Sequence, residues 1–298
     1  MRELVVLSGK GGTGKTSVTA AMAHQAYSDG PYSGSVIVDA DVDAANLELV
    51  VGSVSSEAHD FSGNDVAHID IDACLVCGLC QEFCRFDAIS FSGEDGFQID
   101  PMGCEGCAAC FYQCPVEAIQ MVQRVAGRWF RSESRFGTFF HARLHPAQEN
   151  SGKLVSLVKE KAKNVTREEG SPLMIVDGPP GIACPAIAAV SGADLVLIVT
   201  EPTVAGLHDL ERAEDLIASF RLPSLVCINK ADIHPEGARQ IEEHCRERGV
   251  RVLGRIPFDE SVTQAMAQGQ PVTAYLPEAP ASLALMGLWE DVKEALGS

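Results

Sequence analysis

No stretch of this 298-residue chain approaches the roughly 18 uninterrupted apolar residues that a membrane-crossing helix needs. The first residues run straight into an apolar, strand-like segment, Leu4–Leu7, without the layout of a secretory leader. The expected location is therefore the cytoplasm, with no membrane partner. Positive charge is scarce: 23 Lys and Arg stand against 41 Asp and Glu, a formal net charge of −18. Loose binding to nucleic acid or anionic lipid needs a basic surface, so neither is an expected partner. A reducing compartment excludes disulfides as the use of the eleven cysteines. Eight of the eleven fall between Cys74 and Cys114, a crowding that reads as metal ligation.

Three stretches differ in character. Residues 1–58 and the C-terminal part of the chain alternate short Val/Ile/Leu runs with helix-periodic segments, the pattern of a parallel α/β sheet. Buried strands are expected at Glu3–Leu7, Ser35–Val38, Leu173–Val176, Asp194–Thr200, Ser224–Ile228 and Val250–Ile256. Helices are expected around Val18–Tyr27, Leu207–Ser219 and Pro235–Arg248. Between them the alternation stops, and an internal repeat with an offset of 30 residues takes over. Cys74, Cys77, Cys80 and Cys84 recur as Cys104, Cys107, Cys110 and Cys114, and Ala88-Ile89 recurs as Ala118-Ile119. The domain boundaries that follow are a discontinuous nucleotide-binding domain, 1–58 and 126–298, with an insert at 59–125. From Asp60 to Arg124 eleven acidic residues face two arginines, a net −9. Immediately after, Arg128, Arg131, Arg135 and Arg143 interleave with Trp129, Phe130, Phe136, Phe139 and Phe140. That segment reads either as a strap packing the insert onto the body or as a docking surface for an acidic partner or redox protein.

Residues 9–16, G-K-G-G-T-G-K-T, follow the first strand and precede a helix, the context a phosphate-binding loop requires. Glycines let successive backbone N–H groups converge on phosphate oxygens, and the helix N-terminus adds favourable partial charge. Gly11, Gly12, Thr13, Gly14, Lys15, Thr16 and Ser17 are the expected nucleotide contacts, with Lys15 on the β- and γ-phosphates and Thr16 on Mg²⁺. N-K-A-D (Asn229–Asp232) follows a later strand; in Ras-like GTPases such a string reads guanine, which makes GTP a rival to ATP.

C-x₂-C-x₂-C-x₃-C occurs twice. This is the bacterial ferredoxin run, in which the fourth cysteine of each set ligates the cluster of the other. One [4Fe–4S] cluster then takes Cys74, Cys77, Cys80 and Cys114, and the second takes Cys84, Cys104, Cys107 and Cys110. Zinc also favours four thiolates, but its sites usually pair C-x₂-C units across a spacer. One departure is Arg85, which stands where the first run would usually carry proline; Pro115 occupies that place in the second. Of the remaining cysteines, Cys227 and Cys245 read as packing residues. Cys184 reads as a buried packing residue at a helix start, with a bridging or transient cluster role as the alternative.

The second lysine of the loop, Lys10, gives K-G-G-x-G-K-[ST] and resembles the deviant Walker A motif of the MinD/ParA/Mrp superfamily. With D-A-D-V-D-A-A-N (Asp39–Asn46), I-V-D-G-P-P-G (Ile175–Gly181) and the ferredoxin runs, the chain is similar to P-loop ATPases of that superfamily that carry an inserted two-cluster ferredoxin domain, the cobyrinic acid a,c-diamide synthase-like group. The resemblance implies an α/β fold: a parallel-sheet P-loop NTPase of the SIMIBI type with an inserted α+β, bacterial-ferredoxin-like domain. It also implies a Mg²⁺-dependent ATPase, slow without a partner. Lys10 would reach the nucleotide of a facing subunit in a nucleotide-dependent homodimer. Asp41 would orient attacking water, Asp39 and Asp177 would hold Mg²⁺ together with Thr16, and the Gly181 amide would sense the γ-phosphate. Asn229, Pro257 and Asp259 would contact adenine. The implied cofactors are ATP, Mg²⁺ and two [4Fe–4S] clusters; the implied partner is a redox or cluster-acceptor protein. The alternative the resemblance leaves is a MinD- or ParA-like positioning ATPase in which the insert serves as sensor or scaffold. Against it, the segment Ser282–Leu296 is amphipathic but acidic, which suits packing on the body over anionic lipid.

Overall fold

The computed structural model describes residues 1–93, 96–146 and 150–297, without the side chains of residues 55 and 56. Two acidic residues counted in the insert, Glu94 and Asp95, lie outside the described residues. Along the chain run β1 (Arg2–Ser8), α1 (Lys15–Ser28), β2 (Val36–Asp39), α2 (Leu47–Val51), β3 (Ser55–Ser62), β4 (Val66–Ile69) and α3 (Leu79–Phe83). They continue as β5 (Ile89–Phe91), β6 (Phe97–Ile99), α4 (Ala109–Gln113), β7 (Ile119–Val122), β8 (Val125–Ser134) and β9 (Gly137–Leu144). Then come α5 (Ser151–Glu168), β10 (Leu173–Pro180), α6 (Cys184–Val190), β11 (Leu195–Thr200), α7 (Val204–Ser219) and β12 (Ser224–Asn229). The chain closes with α8 (Pro235–Arg248), β13 (Arg251–Ile256), α9 (Glu260–Ala267), α10 (Val272–Tyr275) and α11 (Pro280–Gly297).

The chain divides into two compact units, one of residues 1–58, 129–143 and 151–298, the other of residues 59–128 and 144–150. The first unit is built on a sheet of order β13-β12-β11-β1-β10-β2-β9-β8-β3, whose last two strands carry the chain between units. Pairing from β13 through β9 is parallel, as the near-continuous Val/Ile/Leu strands require, because both faces are covered. The α/β class and the six expected strands are all present. On one face Val18, Ala21 and Met22 of α1 pack with Leu285, Leu288, Trp289 and Val292 of α11 against the strand side chains. The acidic C-terminal helix therefore spends its apolar face inside the unit. Among the described residues no helix is long and apolar enough to cross a membrane.

The basic, aromatic segment, residues 125–144, forms two strands of the sheet, β8 and β9. Phe139 and Phe140 are fully buried, with Phe139 in a cluster with Ile37, Leu47 and Val50. The arginines that suggested an acidic partner are engaged within the chain: Arg131 with Glu169 at 3.0 Å, Arg143 with Glu48, and Arg135 with the Val50 and Val51 carbonyls. Arg128 pairs with Asp60 at 3.0 Å. Interleaved charge and aromatic residues are what one wet and one buried sheet face produce.

On β9, His141 lies between the rings of Phe130 and Phe139, with centroids at 4.7 and 4.8 Å, and contacts the Ser132 hydroxyl through Nε2. Burial, with Arg143 nearby, lowers its pKa to about 4 despite Glu48 at 3.7 Å. The unfolded chain binds this proton near pH 6.5, so the contribution of neutral His141 is complete above that pH. It is lost progressively as pH falls from 6.5 to 4. His141→Phe should therefore flatten the acid limb of the stability profile across that window, worth about 3 kcal/mol in the wild type. Thermal melts between pH 4 and 7 measure this, and an unchanged acid limb contradicts it.

The second unit has little conventional core. Ala67, Ile69, Ile89, Phe97 and Ile119 pack round Cys80 and Cys110, with Cys74, Cys84, Cys104 and Cys114 partly buried against them and Cys77 and Cys107 exposed. Two antiparallel pairs, β4 with β7 and β5 with β6, frame it. The offset of 30 extends to the backbone. Left-handed residues occur at Val76 and Gly106, Gly78 and Ala108, and Asp87 and Glu117. The Asp70 amide donates to the Ala118 carbonyl and the Asp100 amide to that of Ala88, both at 2.7 Å.

Candidate functional site

In the first unit β1 ends at Ser8 and α1 begins at Lys15, leaving the glycine loop between a buried strand and a helix N-terminus. Gly14 has φ +92°, and a Cβ there would lie 2.2 Å from Asn229 Nδ2, so only glycine lets the loop pass. Asn229 Nδ2 donates to the Thr13 carbonyl at 2.7 Å. The parallel register sets Asp39 of β2 beside Asp177 of β10, and Asp177 beside Val6 of β1. Both carboxylates thus project near the C-terminal ends of parallel strands, where open α/β sheets bind ligands.

Asp177 is fully buried and accepts three hydrogen bonds: from Lys15 Nζ at 2.8 Å, Thr16 Oγ1 at 2.8 Å and Thr19 Oγ1 at 2.9 Å. Burial alone would push Lys15 toward neutrality. The Asp177 carboxylate, with Asp39 and Asp41 near it, outweighs this and holds the Lys15 pKa above its ordinary value. Lys15 Nζ also stands 3.9 Å from Asp41. Asp39 accepts from the Asp41 and Leu47 amides at 3.0 and 3.1 Å. Burial, and then the charge of Asp177, push its pKa up to about 8 against the opposing pull of Lys15 and those amides. Burial likewise raises Asp41. The Thr13 hydroxyl is buried and has no hydrogen-bond partner.

Thr13, Lys15, Thr16 and Asp41 line a cavity of about 420 Å³, within the range of small-molecule sites, while Asp39 and Asp177 lie behind its wall. Gly11 to Ser17, Asp41 and Asn229 lie on its wall, as expected. Pro257 and Asp259 do not. Asp259 instead caps α9, accepting from the Ser261 amide at 2.9 Å, and also accepts from the Ala281 amide at 3.2 Å. The wall on that side comes from Val262, Thr263 and Met266 of α9, which no motif marked. Asp after Pro-Phe before a helix-periodic run is an N-cap signature.

Lys10 makes an ion pair with Glu201 at 2.5 Å, while Lys230 contacts the same carboxylate at 3.5 Å and donates to the Gly12 carbonyl at 3.1 Å. Burial would raise the Glu201 pKa, but the two ammonium groups hold it low. Glu201 and Lys230 were not singled out from the sequence; each lies just beyond a buried strand, β11 and β12, where residues reach the loop. The Gly181 amide donates to the Ser8 carbonyl at 2.9 Å.

In the second unit the cysteines surround two separate cavities. The first is lined by Cys74, Cys77, Cys80 and Cys114, the second by Cys84, Cys104, Cys107 and Cys110. Each thus takes three cysteines from one run and the last cysteine of the other. The walls are mostly apolar, with Ile69, Phe97 and Ile119 at the first and Ala67, Ile89 and Ile99 at the second, where Glu105 is the charged exception. Backbone amides point at sulfur: Val76 to Cys74 Sγ at 3.4 Å and Ala118 to Cys114 Sγ at 3.3 Å. Burial, with the neighbouring cysteines, raises the Cys80 and Cys110 thiols. Among the described residues no three His, Cys, Asp or Glu side chains close on a point that would hold a single metal ion.

Cys227 and Cys245 are buried, and burial pushes both thiols up to about 12. Cys184 is exposed at the first residue of α6, which corrects the expectation of burial. Helix α6 turns its Ala186, Ala189 and Val190 side inward, and the opening residue falls on the other side.

The phosphate loop, the paired strand-end carboxylates and the cavity above them define a P-loop nucleotide-binding protein. Residues 4–272 match the CobQ/CobB/MinD/ParA nucleotide binding domain, and the chain belongs to that family. An uncharacterized protein of Methanocaldococcus jannaschii is 31% identical over 265 residues, covering 89% of this chain and 87% of that one. An iron-sulfur cluster carrier protein of Pyrococcus horikoshii is 31% identical over 137 residues, 41% of this chain and 45% of its own length. The septum site-determining protein MinD of Pyrococcus horikoshii, solved with Mg-ADP, shares the fold at a TM-score of 0.59. It is 20% identical and covers 99% of this chain and 97% of that one.

Proposed function

We propose that the protein is a Mg²⁺-dependent ATPase that binds two [4Fe–4S] clusters and couples its nucleotide switch to electron transfer or cluster delivery. The observation that carries this is the division of eight cysteines between two cavities in the exchanged pattern, in a chain that also carries the Lys15–Asp177 site. The donor sets fit their groups. Four soft thiol ligands in an apolar wall, with amides directed at sulfur, suit an iron–sulfur cluster, and no three of them converge as a zinc ion demands. The clusters would supply one-electron chemistry there. Asp39, Asp177 and Thr16 offer only oxygen, which suits Mg²⁺.

On the nucleotide side, the chain's own groups account for the steps. A triphosphate would draw Lys15 from Asp177 to the phosphates and satisfy the unpartnered Thr13 hydroxyl. Asp177 would then be free for Mg²⁺, and Asp39, costly to ionise alone, would gain a cation beside it. Asp41 is 3.9 Å from Lys15 and can orient the attacking water. Lys10 would have to leave Glu201 to reach the nucleotide of a facing subunit, which makes Glu201 a brake on dimer formation. Asn229, tied to the Thr13 carbonyl and on the cavity wall, is the base contact.

Asp232 of N-K-A-D accepts from the Phe258 amide at 2.6 Å, an engagement that competes with guanine recognition and favours ATP. Unlabelled ATP should displace a bound fluorescent ATP analogue at least tenfold better than GTP; the reverse order would assign the site to GTP. The coupling is tested on anaerobically prepared protein by measuring ATP turnover with the clusters oxidised and reduced. Colourless, iron-free protein, or turnover indifferent to redox state with any acceptor, would sink the proposal.

A further inference from the structure

The two halves of the repeat differ where they reach the surface. Between Cys74 and Cys77 stand Leu75 and Val76, 67% and 48% exposed; between Cys104 and Cys107 stand Glu105 and Gly106. Val116, also exposed, lines the first cavity together with Leu75. Val76 holds φ +54°, a left-handed conformation that costs an L-residue roughly 1–2 kcal/mol and suits a β-branched one least. The second repeat meets the same backbone demand with Gly106 at φ +68°. There a Cβ would lie 2.2 Å from the Asp65 carbonyl, so the chain itself covers that turn. Val76 instead keeps its methyl groups in water at the expense of backbone strain. The turn itself sets the Val76 amide on Cys74 Sγ, but it calls for no apolar side chain; contact with another molecule accounts for one kept on the surface.

Charge narrows the occupant. Exposed Asp72, Glu82 and Glu117 neighbour the apolar residues in sequence, and the segment from Asp60 to Arg124 is net −9. A second copy of this chain would bring like charge, and an anionic lipid surface would be repelled. We propose that the mouth of the first cysteine cavity, formed by Leu75 and Val116 with exposed Val76 next to Leu75 in the chain, is the docking face for a redox or cluster-accepting protein whose contact surface is apolar at its centre and ringed by lysine or arginine. The second mouth, where the Glu105 carboxylate interrupts an apolar rim that includes exposed Phe86, does not serve this contact. The inference rests on the cysteine cavities being cluster sites.

The test uses the full chain, prepared anaerobically, reduced with dithionite and freed of excess reagent. The probe is cytochrome c, a basic one-electron haem protein. One electron leaves the reduced protein and converts one ferric haem to ferrous; no bond changes and no proton moves. Leu75→Lys with Val116→Lys adds two positive charges at the first mouth, and Glu105→Lys makes the same charge change at the second. The first-mouth variant should slow the bimolecular rate about tenfold at low salt, and Glu105→Lys should leave it within about twofold. Val76→Gly, which changes no charge, should raise the thermal midpoint by relieving strain and still slow transfer several-fold. Should the lysine variant lose iron, Val76→Gly decides alone. Equal slowing by both lysine variants, or Val76→Gly with unchanged midpoint and rate, overturns the docking face while leaving the clusters in place. A dimer that the first-mouth variant dissolves assigns the face to a second copy and also overturns it. Wild-type protein without iron removes both this inference and the reading beneath it.

Discussion

Cys84→Ser combined with Cys110→Ser should remove about four of about eight irons per chain, whereas Cys84→Ser combined with Cys80→Ser should remove nearly all. The two pairs look alike in sequence terms: each joins Cys84 to the third cysteine of a run. They differ because Cys84 lines the cavity of Cys104, Cys107 and Cys110, not the one formed by its own run. Iron analysis with the visible absorbance of anaerobic preparations reads the difference. Loss of half the iron in the second pair and all in the first would mean that each run holds its own cluster. The same loss should cost the unit its fold. Cys80 and Cys110 are themselves the buried centre of a core otherwise made of a few Ile, Ala and Phe side chains. Metal binding and folding are therefore one equilibrium there, and iron chelation should expose residues 59–128 to proteolysis well before the sheet of the first unit.

Asp177→Ala should be the most damaging single change in the nucleotide unit. It leaves Lys15, 6% exposed, without its counter-charge, and strands the Thr16 and Thr19 hydroxyls. Breaking a buried pair from one side costs about 3–5 kcal/mol. Asp177→Asn retains an oxygen acceptor and should cost clearly less stability, yet ATP turnover should fall on the order of a hundred- to a thousandfold in both, since neither can hold Mg²⁺ and release Lys15. Calorimetric melts and phosphate release separate the two effects. Full turnover in Asp177→Asn would move the metal to other carboxylates, with Asp39 first.

Much of this was legible in residue order because the determinants are local. Five buried strands announced themselves as Val/Ile/Leu runs, since a parallel sheet covered on both faces tolerates little else, and the sixth, β13, was legible although it is a half-exposed edge strand. The glycine loop, Lys15 and Thr16 follow from eight consecutive residues between a strand and a helix. The cysteine runs carry their chemistry in spacing, and the offset of 30 proves to be a backbone repeat because left-handed turns recur with it.

Other features depend on which strands lie side by side. Asp39 and Asp177 are 138 positions apart and meet only through the β2–β10 register, and this meeting adds to the burial that raises Asp39. Lys10 is held by Glu201, and the far wall of the nucleotide cavity is set by the face of α9, so no motif could name Val262, Thr263 or Met266. The exposure of Cys184 was misread for the same reason. Short-range patterning reports which residues avoid water, but which neighbour covers them is settled by contacts distant in the chain, whose energies no local window contains.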